Sequence, residues 1–183
     1  MFTETQGRQL LLLARAAIAR EFDEPATHPP HADWLDAPGA TFVTLTKEGR
    51  LRGCIGSLEA HRPLREDVEE NARAAAFRDP RFPPLLCGEL HEVRLEVSVL
   101  TPATPMTFGD EAEALRQLRP EVDGVILEYG WHRSTFLPQV WEQLPEPRQF
   151  LSQLKQKAGL SGDFWSRDLR LSLYAVEKFK EAS

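Results

Sequence analysis

Cysteine is scarce. Cys54 and Cys87 are the only two among 183 residues, too few for a disulfide framework or a four-cysteine zinc site. Long apolar runs are also missing, since no stretch approaches the roughly 20 residues of a membrane span. The opening MFTETQGRQLLLLARAAIARE has a short apolar core carrying Arg15 and Arg20, with no small-residue cleavage site of a signal peptide. The expectation is a cytoplasmic chain with reduced thiols. Nor is there a surplus of positive charge: 22 Lys and Arg face 28 Asp and Glu, for a net charge of −6. That argues against a broad nucleic-acid surface, which needs cations for phosphates. The close pairs Arg50 with Arg52 and Arg78 with Arg81 read as solvated or ion-paired.

What is present is ordinary for a folded protein. Apolar residues make up 42% and charged residues 27%, which excludes a disordered or fibrous chain. The length suits one domain over residues 1–183, or one domain made of two packed lobes. Such a chain buries enough surface to need no staple.

Leu10, Leu13, Ala14, Ala17 and Ile18 recur at helical spacing and predict a helix from Thr5 to about Glu21. Residues 22–39 hold four prolines and read as loop. His28 and His31 lie there near Asp33 and Asp36, a pattern read as solvated; no metal is expected. Residues 41–46 and 51–55 form a hairpin around Lys47-Glu48-Gly49. A three-residue loop with a bulge at Gly49 pairs Thr46 with Arg50 and puts Val43, Leu45, Leu51 and Ile55 on one face. Phe42, Thr44, Arg52 and Cys54 then share the other. A two-residue loop would mix Arg52 with Val43 and Leu45, so the bulged turn is preferred.

Pro63 starts a second helix to Phe77, and Asp79-Pro80-Arg81-Phe82-Pro83-Pro84 stops it. Val93, Leu95, Val97 and Val99 alternate with Arg94, Glu96 and Ser98, predicting a strand with the aliphatic set toward the core. Short helices are expected at Glu111–Leu118, Pro138–Gln143 and Pro147–Ala158, a hairpin around Gly130, and one closing strand from Leu169 to Phe179. Strands and helices do not alternate regularly. The fold class is therefore α+β, an antiparallel or mixed sheet flanked by helices.

The most unusual segment is Arg52-Gly53-Cys54-Ile55-Gly56-Ser57. Glycines beside a strand cysteine suggest close approach by another group. Arg52 is a candidate to favour the Cys54 thiolate and to hold an anionic small molecule, and amides near Gly56 and Ser57 are candidates for an oxyanion hole. A nucleophilic Cys54 needs a base that only the fold can supply, from His61, His91 or His132. The plainer reading is a small buried cysteine between packing glycines. Cys87 reads as structural. Trp131, Trp141 and Trp165 are candidates to stack a ligand, although tryptophan more often fills a core.

The hexapeptide Leu51-Arg52-Gly53-Cys54-Ile55-Gly56 resembles the signature of the AMMECR family. So do Asn71-Ala72 with Ala75-Ala76-Phe77, Asp79-Pro80-Arg81-Phe82, Glu96-Val97-Ser98-Val99-Leu100, Asp123-Gly124, Phe136-Leu137-Pro138-Gln139-Val140-Trp141 and residues 155–160, in family order from about Ala40 to Tyr174. The bacterial members resemble AmmeMemoRadiSam system protein A. The resemblance implies an α+β fold with a larger and a smaller lobe, a functional site at the hexapeptide and association with Memo-like and radical-SAM proteins, without their cofactors. Two cysteines cannot hold the three-cysteine iron–sulfur cluster of a radical-SAM protein. No cofactor is expected. The resemblance implies no agreed reaction, which leaves a ligand- or partner-binding component beside a cysteine-dependent acyl-transfer or hydrolytic enzyme.

Overall fold

The structure is a computed structural model describing all 183 residues. The chain forms two compact units, Met1–Leu100 with Glu177–Ser183, and Thr101–Val176. No helix is long and apolar enough to cross a membrane.

The first unit is built on a sheet of β1 (Ala40–Lys47), β2 (Arg50–Gly56), β3 (Val93–Leu100) and β8 (Val176–Lys180), in the order β2-β1-β3-β8. Helix α1 (Glu4–Arg20) starts with a capping box, in which Thr3 and Gln6 satisfy each other's backbone N–H groups. Its stripe of Leu10, Leu13, Ala14, Ala17 and Ile18 packs with Val68, Ala72 and Ala75 of α2 (Leu64–Phe77) on Val43, Leu45, Val93, Leu95, Val97 and Val99. The aliphatic face expected for β3 is therefore the core face. Thr44 lies opposite Glu96 and Phe42 opposite Ser98 on the sheet's second face. Ser98, expected to face away from the core, is on that face but buried.

The first hairpin departs from expectation at its turn. The loop has two residues, Glu48 and Gly49, both at positive φ (52° and 76°), and Lys47 pairs with Arg50 rather than Thr46 with Arg50. The extra residue that sets the register lies inside β2. Thr46 pairs with Leu51 and Leu45 with Gly53, so Arg52 is left over between them. Leu51 consequently leaves the aliphatic face and is 43% exposed.

The second unit holds a sheet of β4 (Thr104–Pro105), β5 (Gly124–Tyr129), β6 (His132–Phe136) and β7 (Arg170–Tyr174), ordered β4-β7-β5-β6. Both sheets are antiparallel, the antiparallel form of the two arrangements expected. Helices α3 (Glu111–Gln117) and α4 (Pro147–Lys157) complete the unit. Its core centres on Trp141, whose ring stacks on Phe150 at 3.7 Å and whose indole N–H donates to the Asp123 carbonyl at 2.7 Å. Lys155 is buried and reaches Glu111 at 2.9 Å. The single closing strand expected from Leu169 to Phe179 is two strands in different sheets, β7 and β8, parted at Ala175.

Candidate functional site

Cys54 lies opposite Thr44 on the second face of the first sheet. Its thiol is half-buried and accepts the Thr44 hydroxyl at 3.2 Å. Because β2 is an edge strand, the outward N–H and C=O of Cys54 have no neighbouring strand. The loop after α2 supplies their partners. Asp79 accepts the Cys54 N–H at 2.9 Å, and Arg81 donates to the Cys54 carbonyl at 3.3 Å. Arg81 also grips Asp79 through Nε and Nη2, at 3.0 and 2.7 Å. This contact, together with the backbone donors of Cys54 and Arg81, holds the Asp79 carboxyl well below the ordinary range against the opposing effect of burial. A two-residue clasp therefore fixes the backbone of the cysteine and closes the sheet edge.

The two glycines have different neighbours. A Cβ on Gly53 would lie 2.0 Å from the Ala75 carbonyl oxygen, so Gly53 is where β2 meets α2. A Cβ on Gly56 would lie 2.2 Å from the Phe42 ring, which covers that position from the paired strand. Gly53 is thus a packing residue of the core face, while Gly56 makes room for an aromatic floor beside the thiol. Ile55 packs on the core.

Arg52 does not join the thiol. Its Nε and Nη2 donate to Glu89 at 3.1 and 3.0 Å, and Lys47, which follows Leu45 on that side of β1, reaches the same carboxylate at 3.3 Å. The Arg52 guanidinium is the main reason the Glu89 carboxyl is pulled down to about 2. Its third nitrogen, Nη1, is buried without a partner. The expected face shared by Arg52 and Cys54 is corrected, because the bulge turns Arg52 toward Glu89. The anion role proposed for Arg52 loses its geometric basis there.

Ser57 belongs to a buried polar cluster. Asp67 accepts the Thr41 N–H and hydroxyl and the Ser57 hydroxyl, each at 2.7 Å, and Arg62 Nε at 2.8 Å. Asn71 donates to the Thr41 carbonyl and Ser57 hydroxyl, at 3.0 and 3.1 Å. The Ser57 N–H donates to the Thr41 carbonyl at 2.8 Å and is not free for an oxyanion. Sequence reasoning missed Asp67, and it did not foresee Glu89 as the partner of Arg52. Asp67 had a signal: with Asn71 it places two polar groups four apart on the buried stripe of Leu64, Val68 and Ala72.

No imidazole hydrogen-bonds to Cys54. His61 meets the Glu59 carbonyl at 3.0 Å, His132 donates to the Ala158 carbonyl at 2.8 Å, and His91 is exposed. Cys87 is exposed rather than packed, and desolvation followed by the Glu24 carboxylate pushes its thiol up. Of the tryptophans, Trp141 is core, Trp165 lies against Phe108, and Trp131 is 86% exposed and stacked on His132 at 3.8 Å. His31, Asp33 and Asp36 do come together, with ligand atoms within 4.8 Å of one another, all exposed. Arg65 approaches His31 at 3.4 Å and brings a cation to that cluster.

Together, these observations describe a two-sheet α+β protein in which the backbone of Cys54 is clasped at a sheet edge. The AMMECR1 family model matches residues 11–179, and the chain belongs to this family. It is 38% identical over 184 residues to a protein of Methanothermobacter thermautotrophicus, covering 96% of this chain and 94% of that one. A Saccharolobus islandicus protein is 40% identical over 167 residues, covering 87% and 74%. The crystal structure of an uncharacterized Pyrococcus horikoshii protein, PH0010, matches with a TM-score of 0.80 at 33% identity, over 98% of this chain and 93% of that chain.

Proposed function

We propose that the chain is a ligand- or partner-binding component, acting alongside Memo-like and radical-SAM proteins through the sheet edge from Arg52 to Ser57. The observation that carries this reading is the clasp. Both backbone groups of Cys54 are held by Asp79 and Arg81, while the thiol stays half-buried beside Thr44 and the Phe42 floor. Such a rigid, partly polar patch suits recognition. The amides of Cys54 and Ser57 are already engaged, which leaves them unable to stabilise an oxyanion. In this reading Cys54, Thr44 and Phe42 make the contact. Gly53, Ile55 and Ser57 hold the strand in place, and Arg52 anchors its bulge.

The test is capture of a purified Memo-like protein, followed by titration calorimetry. Cys54→Ala and Thr44→Ala should each weaken association at least tenfold while leaving the folded spectrum unchanged. Full affinity in both variants would remove this face from the interface. The second reading, a nucleophilic Cys54, draws on the Thr44 hydroxyl donated to the sulfur at 3.2 Å. It requires a Cys54-dependent burst on an activated ester or thioester, with Cys87→Ser as the control.

A further inference from the structure

The second face of the first sheet carries its own charge pattern. Phe179 meets Gly7 of α1, and Glu177 and Glu181 bond to Phe2 and Arg15 on the same side. Alternation therefore sends Lys178 and Lys180 to the second face, where Lys180 meets Glu96 at 3.2 Å. Arg94 lies on this face opposite Thr46. Arg94, Lys178 and Lys180 thus share the strands of this face with Glu96, in a chain whose net charge is −6.

At the turn end of this face is a cavity of about 500 Å³, whose lining includes Thr46, Arg94, Leu95, Glu96, Lys180 and Ser183. Its volume is in the range of small-molecule sites. Glu48, Glu92 and Glu181 also line it, but two of these are neutralised from outside. Glu92 is held by Lys47 at 2.6 Å and Glu181 by Arg15 at 2.6 Å. Glu48 is exposed in the turn. Arg94 has no carboxylate partner. Its Nη1 makes two long contacts, at 3.4 and 3.5 Å, to the Val93 and His91 carbonyls. Arg94 also lines a neighbouring cavity of about 380 Å³ beside His91. A planar guanidinium without a carboxylate partner, next to a threonine hydroxyl and a lysine, suits a bidentate oxyacid.

We infer that this cavity is an anion subsite, in which Arg94, with Lys180 and Thr46, holds the phosphate or carboxylate group of a small ligand. The inference goes beyond the proposed binding role, because this cavity would hold an anion whether or not Cys54 touches the ligand. Binding exchanges the Lys180 contact with Glu96 for one shared with the ligand.

The probe is inorganic phosphate, with succinate in parallel, titrated at constant ionic strength and followed by backbone amide shifts of the full chain. Saturable shifts should concentrate at Thr46, Gly49, Arg94, Leu95 and Glu96. Arg94→Gln should weaken phosphate at least tenfold, Arg94→Lys less, and Lys180→Gln less than Arg94→Gln. Saturation by phosphate alone marks a phosphate-bearing ligand, and saturation by succinate alone a carboxylate. Shifts scattered over the surface, or equal affinity in Arg94→Gln, would overturn the subsite. Partner capture that persists while phosphate fails to bind would reject the subsite and leave the proposed partner role intact.

Discussion

At the scale of single residues, Gly53 and Arg52 behave unlike their neighbour Cys54. Gly53 faces the Ala75 carbonyl with no room for a methyl group. Gly53→Val should therefore cost at least about 1–3 kcal/mol in urea unfolding, as overpacking does; an unchanged midpoint would mean that α2 withdraws freely. Glu89 offers a second measurement. Its carboxyl falls from 4.5 to about 2, chiefly through Arg52. A depressed folded value gives stability that is complete above about pH 4.5 and is lost as the pH falls toward 2. Glu89→Gln should flatten the stability profile across that window, and a profile with its original slope would deny the pairing. The hexapeptide was legible as a special segment because glycines around a strand cysteine are unusual. The direction of Arg52 was not, because one extra residue reverses side-chain parity and leaves no mark in composition.

Elements were more legible than their joints. The alternation of Val93 to Val99 and the stripe of α1 follow from periodicity alone, and both belong to the same core. The β1–β2 turn was harder to read. Only the three-residue loop with a bulge at Gly49 satisfied the aliphatic pattern among the two arrangements weighed, and the chain instead has a two-residue loop with the extra residue at Arg52. That loop puts Glu48 at φ 52°, a backbone region costly for a residue other than glycine or asparagine. Glu48→Asn is expected to stabilise the chain by about 0.5–1 kcal/mol, seen as a raised midpoint in thermal or urea unfolding. A lowered midpoint would show that Glu48 contributes through its side chain. The break at Ala175 was invisible for a different reason. The period of two runs through residues 169–179 without a proline or glycine to interrupt it. What divides β7 from β8 is partner choice: Leu171 and Leu173 pair with β5, whereas Phe179 packs on α1.

For the whole molecule, the first unit depends on the end of the chain. Glu181 accepts Arg15 through both carboxylate oxygens and the Leu95 N–H, while its own N–H meets the Leu95 carbonyl. Removing residues 177–183 would strip β8 from the sheet and leave Arg15, about three-quarters buried, without its carboxylate. The truncated chain should lose exchange protection in β3 and α1, while amides of the Trp141 and Phe150 core keep theirs. Uniform loss in both units would show that they unfold together. Within the second unit, Glu111→Ala should cost about 1–3 kcal/mol, because buried Lys155 would lose its ion-paired carboxylate and keep only the field of Asp163. Lys155→Met should cost less, and calorimetry of the two variants makes the comparison.

The position of β8 also sets an order of events during synthesis. Residues 101–176 form an uninterrupted unit, so every segment it needs emerges from the ribosome in one stretch. The first unit begins to emerge earlier but lacks its fourth strand until residues 177–180 are made. At roughly 5–20 residues per second, the Val93–Leu100 strand waits several seconds with one side unpaired. An unpaired strand edge invites association with other chains. A nascent chain stalled near residue 170 should therefore be the most aggregation-prone intermediate, even though α1, α2 and the first three strands of that sheet to be made are already in place.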